Sequence, residues 1–313
     1  MNIGLQPVFN CFKANRILKS FIHNSKIKSM SAITAQDVNK LRTMTGAGMM
    51  DCKKALTEAD GDFEKAIEIL RKKGQKVSAS RSDRDAKEGS VFVKVSSDGK
   101  EAMLIALNCE TDFVAKNDAF QELGKLIVET AFAKKSATKE ALMAEKAGDL
   151  TLQDKITELV GKIGEKLEVS TYVHMKGEAI VPYIHSGSKL GVLVSLKGVN
   201  ARLQDGQGKD VTEAGKDVGM QIAAMNPVAV DEKSIDPAII AKELEIAKAQ
   251  IIAEGKPENM VDKIAAGKLN KFFKESTLLP QSFVKDNTKT VAQYLDSVTK
   301  GLTVAEFKRV AIG

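Results

Sequence analysis

Apolar positions in the first part of the chain recur at intervals of three and four, which predicts helices. Val38, Leu41 and Met44 follow Thr34 and Asp37, a pair spaced as an N-terminal cap. "TGAG" at Thr45 to Gly48 breaks the pattern, and Met49, Cys52, Ala55 and Leu56 resume it. "DGD" at Asp60 to Asp62 turns the chain, and Phe63, Ile67 and Leu70 mark a third helix that Gly74 closes. Residues 31–74 read as a three-helix domain with a thin core, and the polar stretch 75–89 as a linker or a solvated helix extension.

The period then falls to two. Ser90 to Ser96 alternates, Asp98-Gly99 is a turn signal, and Glu101 to Asn108 runs back, giving a hairpin. "NCETDFVAK", Asn108 to Lys116, is the junction that follows, with an aromatic beside an acid. Asp118 with Gln121 caps a helix whose Phe120, Leu123, Ile127 and Ala131 share a face, and residues 138–167 return to a helical pattern. From Glu168 a second unit begins: "EVSTYVHM", "AIVPYIH" and "KLGVLVSLKG" read as strands, and Val211 to Met225 as a helix stopped by Asn226-Pro227. The expected fold is α+β, with two similar antiparallel sheet-plus-helix core subdomains at 90–167 and 168–313.

Within the second, Ile240, Leu244, Ala247 and Ile251 step by four, three and four, the seam of a coiled coil. "EGKPEN" reverses the chain, and Val261, Ala265, Leu269 and Phe272 continue the seam, so residues 239–274 form a projecting helical hairpin. Its apolar seam calls for cover from the chain's own core, a second copy in a homodimer, or a partner. The closing module, 286–313, contributes the helix "NTKTVAQYLDSV" and the strand "LTVAEFKRVAI".

Charge changes this picture only at one end. Five of the 47 basic residues and none of the 41 acidic ones fall within residues 1–30, leaving 42 against 41 in the remainder. A nucleic-acid binder carries a basic stripe on its folded domains; here the excess is in a tail, so direct nucleic-acid binding is not expected. That tail has the composition of a mitochondrial or plastid transit peptide, or else translation starts at Met30 in a cytoplasmic protein. No run approaches the roughly 20 apolar residues that span a bilayer, so no membrane role is expected.

Catalytic chemistry is poorly provided for. There is no GxxxxGK[ST], no GxGxxG after a strand and no HExxH, and the three histidines are His23, His174 and His185. The three cysteines, Cys11, Cys52 and Cys109, lack metal or disulfide spacing. Binding is the better reading, with an adaptor, a nucleic-acid protein recruited through the tail, and an enzyme as rivals in that order.

"TGAGMMDCKKALTEADGD" at 45–62, "TDFVAKN" at 111–117, "KIGE" at 162–165, "LGVLV" at 190–194 and "TKTV" at 288–291 stand in the order found in the elongation factor Ts family, and residues 31–313 resemble it throughout. The resemblance implies a guanine nucleotide exchange factor that makes no bonds, needs no cofactor and acts on GDP-bound elongation factor Tu. It implies a ubiquitin-associated-like module for 31–74 and a coiled coil for the hairpin. It gives Asp112 and Phe113, after Thr111, the family's role of entering the partner's nucleotide domain and disturbing its magnesium and phosphate contacts. It also gives partner contacts to Arg42, Met49, Met50 and Lys53, to Ile163 and Gly164, to His185 and to Val284. Met49 and Met50 could equally be core residues, His185 an ordinary loop histidine, and Lys285 replaces an apolar residue of some relatives beside Val284.

Overall fold

Thr34 starts the first helix as a capping box: its hydroxyl accepts from the Asp37 amide at 3.1 Å, and the Asp37 carboxylate accepts from the Thr34 amide at 3.0 Å. The structure is a computed structural model and describes residues 33–199 and 208–313; the basic tail lies outside the described residues. Contacts divide the chain into two units that meet in sequence at Leu70 and Arg71.

The first unit holds α1 (Ala35–Thr45), α2 (Met49–Glu58) and the start of α3 (Phe63–Arg81). Gly46 ends α1 in the left-handed region, φ 66°, where its amide reaches back to the Arg42 carbonyl. Leu41, Cys52, Leu56 and Ala66 are fully buried between these helices. Met44 and Met49, which the spacing put on the core faces, are exposed. The buried stripe of α1 runs through Val38, Leu41 and half-buried Thr45, leaving Met44 beside it, and Met49 precedes the buried face of α2.

Gly74 does not close the third helix, which continues to Arg81. A Cβ on Gly161 would stand 2.7 Å from the Gly74 Cα, so this glycine serves a helix crossing with α7 (Leu152–Ile163) and not a cap.

In the second unit, β1 (Glu88–Val95) and β2 (Glu101–Cys109) form the expected hairpin. They are followed by α4 (Asp112–Ala115), α5 (Asp118–Lys134), α6 (Lys139–Ala144), a short β3 (Lys146–Ala147) and β4 (Leu150–Thr151) pair, and α7. Asn117, one residue before the expected cap, takes the Ala119 amide at 2.9 Å. Then come β5 (Leu167–Lys176), β6 (Ala179–Ile184), β7 (Leu190–Lys197) and α8 (Gly208–Met225). The chain ends with α9 (Pro237–Ala253), α10 (Glu258–Ser276), β8 (Ser282–Phe283), β9 (Asp286–Thr290), α11 (Val291–Val298) and β10 (Thr303–Ala311). "NTKT" is therefore mostly strand, and Thr290 caps α11 in a box with Gln293.

The sheets have the orders β1-β2-β5 and β10-β7-β6, all antiparallel. The strand "EVSTYVHM", grouped by sequence with the strands after it, pairs along β2 and completes the first sheet. Its place in the second sheet is taken by the last strand of the chain, β10. Sequence order cannot reveal such an exchange, because pairing partners lie far apart along the chain.

Alternation along β2 places its side chains on two faces. Met103, Ile105, Leu107 and Cys109 pack with Phe120, Ile127 and Val160 of the helices. Ala102, Leu104 and Ala106 pack with Leu193 and Val310 of the other sheet. The two sheets thus meet back to back, and the second carries α8 and α11 on its outer face through Val194, Val218 and Leu295. Burial on both faces explains the near-continuous apolar run of β2, unusual for an antiparallel strand.

Helices α9 and α10 pack on each other through Ala247, Ile251, Val261 and Ala265. The seam that sequence left in need of cover is closed by the hairpin's own second helix. Nearer the sheets Ile240, Leu269 and Phe272 join Ala229, Ile235 and Phe273.

At the start of β2, Glu101 is ringed by Lys135, His174 and Lys176. It accepts from Lys135 and from His174 Nε2 at 2.8 Å, with Lys176 at 3.6 Å. The bonds from Lys135 and His174 hold its carboxyl at about 2, against an ordinary 4.5. A carboxyl depressed on folding stabilises above its unfolded pKa and loses that contribution as pH falls toward the folded one. The stability difference between the wild-type chain and Glu101→Gln is expected to be fully present at neutral pH and to shrink between about pH 5 and pH 2. Urea unfolding at stepped pH reads this, and a difference constant over that window would refute it.

Candidate partner-binding site

Strand β2 ends in Cys109, whose buried thiol donates to the Thr111 carbonyl at 3.1 Å. Burial first, then the nearby Glu165 and Glu88 carboxylates, push this thiol up to about 12, so it stays neutral and is no nucleophile. The next residues turn the chain from the strand into α5, with α4 as a single helical turn.

Thr111 caps that turn, its hydroxyl accepting from the Val114 amide at 3.4 Å. Gln121 closes the other end, donating through Nε2 to the Ala115 carbonyl at 2.7 Å and to the Ser90 hydroxyl at 3.1 Å. Val114 and Ala115 are buried against the first core. Phe113 points away from it and is 81% exposed. A large aromatic held that far from its own core by a capped turn is unusual, because burying it would be favourable.

Asp112 does not cap the turn; Thr111 does. The Asp112 carboxylate pairs with Lys116 one helical turn on, at 2.7 Å. That bond chiefly holds its carboxyl below the usual range, and the positive charge of Lys189, just before β7, adds to it. The carboxylate is ionised, about half exposed, and beside the aromatic.

Helix α7 brings the second segment. It ends at Gly164, whose φ of 78° lets the chain reverse at once. Ile163 packs on the first core, and Glu165 reaches Thr111, accepting from its amide at 3.0 Å and its hydroxyl at 2.8 Å. Glu110 accepts from the Lys166 amide at 2.7 Å, from Arg81 at 3.3 Å and from Arg84 at 3.1 Å. Thr111, Asp112, Phe113, Ile163 and Gly164 are thereby brought together.

His185 lies in the exposed turn after β6, with Nδ1 2.9 Å from the Tyr183 hydroxyl. The same turn is tied to β1 by the Val91 amide, which donates to the Ser188 carbonyl at 2.7 Å. Lys189 of that turn pairs with Glu88. Val284 stands apart, exposed, with its amide held by Gln221 Oε1 at 2.8 Å. Its neighbour Lys285 turns to Asp217 at 2.6 Å, leaving Val284 as the apolar group offered there.

In the first unit, described by itself, Arg42, Met49, Met50 and Lys53 are all exposed. Met44 is exposed too, an apolar residue that spacing alone assigned to the core. Glu110 and Glu165 also escaped the sequence reading. Glu165 sits inside the "KIGE" run, but its meeting with Thr111, 54 residues away, appears only in three dimensions.

A family model described as Elongation factor TS matches residues 110–313, starting at the glutamate that precedes this turn. The elongation factor Ts of Cytophaga hutchinsonii is 57% identical over 284 residues, covering 90% of this chain and 100% of its own length. That of Amoebophilus asiaticus is 56% identical over 282 residues, covering 90% and 99%. The chain belongs to the elongation factor Ts family. Thr111, Asp112, Phe113, Ile163, Gly164, His185 and Val284 fall inside the span of the elongation factor Ts model, and Arg42, Met49, Met50 and Lys53 precede it. Among the described residues no helix is long and apolar enough to cross a membrane.

Proposed function

We propose that this chain binds elongation factor Tu in its GDP-bound form and speeds release of GDP, with the turn carrying Asp112 and Phe113 acting at the partner's nucleotide and magnesium site. The observation that carries this reading is the 81% exposure of Phe113 on a turn whose next two residues, Val114 and Ala115, are buried. The turn has an apolar group to insert and an ionised acid beside it. A carboxylate brought near a phosphate-bound magnesium competes for the cation and repels the phosphates, and both effects weaken nucleotide binding.

Docking is assigned to broader surfaces. The first unit serves as a ubiquitin-associated-like module offering Arg42, Met49, Met50 and Lys53. Ile163 and Gly164 flank the turn, and His185 and Val284 add contacts elsewhere on the second unit. The α9–α10 hairpin is a coiled coil whose seam is satisfied internally, so contact through it with elongation factor Tu, or with a second copy, falls to outward residues such as Ile252 and Met260. No cofactor is required, and the cytoplasm suits the reading unless the tail directs the chain to an organelle.

Effects of this kind are reciprocal: if the chain weakens GDP, GDP weakens the chain by the same factor, and rebinding of nucleotide releases it. Addition of the chain to elongation factor Tu loaded with fluorescent GDP is expected to raise the release rate in proportion to its concentration until saturation. A binding partner that leaves the release rate unchanged would be an adaptor, and the reading would fail.

A further inference from the structure

Helix α4 has four residues, far fewer than a helix needs to hold itself together in water. Its most apolar outward residue, Phe113, contributes almost no burial to it. What fixes the turn is therefore the inward packing of Val114 and Ala115, the Gln121 bond at its far end, and the bonds at its cap, Thr111.

Those bonds form a crossed pair. The Glu165 carboxylate accepts from the Thr111 amide, and the Glu110 carboxylate accepts from the Lys166 amide. Residues 110–111 and 165–166 thus each supply one acid and one backbone donor to the other segment. Glu110 is further held by Arg81 and Arg84, and its side chain is only 15% exposed. The Thr111 hydroxyl donates to Glu165 at 2.8 Å while accepting from the Val114 amide. Because Glu165 takes the hydroxyl proton, the oxygen lone pair is turned toward Val114, so Glu165 orients the cap of the turn that carries Phe113.

We propose that Glu110 and Glu165 form a reciprocal clamp that positions the Phe113 turn for insertion, Glu165 acting through Thr111 as a positioning residue. This rests on the exchange reading above. A turn ordered in advance does not pay for ordering when it inserts, and a misplacement of about 1 Å in a group of this kind can cost on the order of a hundredfold in rate. The Arg81 pair ties the clamp to the last residue of α3, and the Arg84 pair ties it to the segment that follows.

The test uses the full chain as wild type, Glu165→Ala, Glu165→Gln and Phe113→Ala. Two things are read: hydrogen exchange at the Thr111 and Val114 amides, and the concentration dependence of assisted GDP release. Glu165→Ala is expected to speed exchange at both amides and to lower the limiting release rate about tenfold at an unchanged half-saturating concentration. Glu165→Gln has one acceptor oxygen where Glu165 takes two donors, so it holds the Thr111 amide or the hydroxyl but not both, and its limiting rate is expected to fall between those of wild type and Glu165→Ala. A merely structural loss would reduce the active fraction, raising the half-saturating concentration while leaving the limiting rate alone.

Faster amide exchange in Glu165→Ala with a wild-type limiting rate would overturn the clamp, and so would unchanged amide protection. If Phe113→Ala slows release and Glu165→Ala does not, the clamp alone fails; if Phe113→Ala releases GDP at the wild-type rate, the exchange reading fails with it. Should Glu165→Ala not fold, Thr111→Val, which removes only the hydroxyl relay, carries the same expectation at about fivefold, and a wild-type limiting rate there overturns the proposal.

Discussion

Phe113→Ala is expected to slow assisted release of GDP from elongation factor Tu by about two orders of magnitude while leaving the melting temperature unchanged. Burying a phenylalanine removes about 150 to 250 Å² from water, worth roughly 4 to 6 kcal/mol at about 25 cal/mol per Å². Alanine retains a share of that burial, so roughly 3 kcal/mol is lost, and about 1.4 kcal/mol corresponds to a factor of ten in rate. In the free chain the ring is 81% exposed, and truncating such a surface group changes stability by no more than about 0.5 kcal/mol. Docking survives because association costs about 4 to 15 kcal/mol, more than one ring could supply, and must already be met by wider contacts. Stopped-flow release of fluorescent GDP and thermal melting of the variant check the two halves of the expectation.

The contrasting result is expected seven residues later. Phe120 is 0% exposed, on the inner face of α5, and packs with Phe92 at a centroid distance of 6.4 Å. Phe120→Ala removes a buried ring from a close-packed layer and is expected to cost about 3 to 5 kcal/mol. For a unit of this size that lowers the melting temperature by roughly 6 to 20 °C, at about 2 to 4 °C per kcal/mol. Below its melting temperature the variant keeps Phe113 and is expected to retain assisted release per folded molecule. Chemical denaturation followed by circular dichroism reads the loss; a cost under about 1 kcal/mol would mean that α5 is not seated on β2 as described.

These two phenylalanines also mark where the chain could be read in advance. Phe120, Leu123, Ile127 and Ala131 announce a buried face by their spacing, and all four are buried. The hairpin of β1 and β2, α8 with its stop at Asn226, and the α9–α10 pair follow equally from period and turn residues. The pairing of β5 with β2 and the closing of the second sheet by β10 did not, since alternation sets which face a strand shows and not which neighbour it takes. Gly74 misled for a related reason: a glycine that stops a helix and one that admits another helix look alike in sequence, and only Gly161 opposite it decides. At the site, the family motif pointed to Thr111, Asp112 and Phe113, whereas Glu110 and Glu165 act across 56 and 54 residues and carry no local signature.

The exposed aromatic also gives the account its physical direction. A ring already presented to solvent gains its full burial only on meeting a partner, and the partner pays in nucleotide contacts for the space it takes. The measurement that tests this most directly is the affinity of the chain for elongation factor Tu without nucleotide and with GDP bound, for wild type and Phe113→Ala, by titration calorimetry. The wild-type chain is expected to bind the empty form about a hundredfold more tightly, within the range of typical coupling energies, and Phe113→Ala to reduce that ratio below about tenfold. A Phe113→Ala chain that keeps the full hundredfold preference would contradict the account, because the coupling would then run through some other part of the molecule.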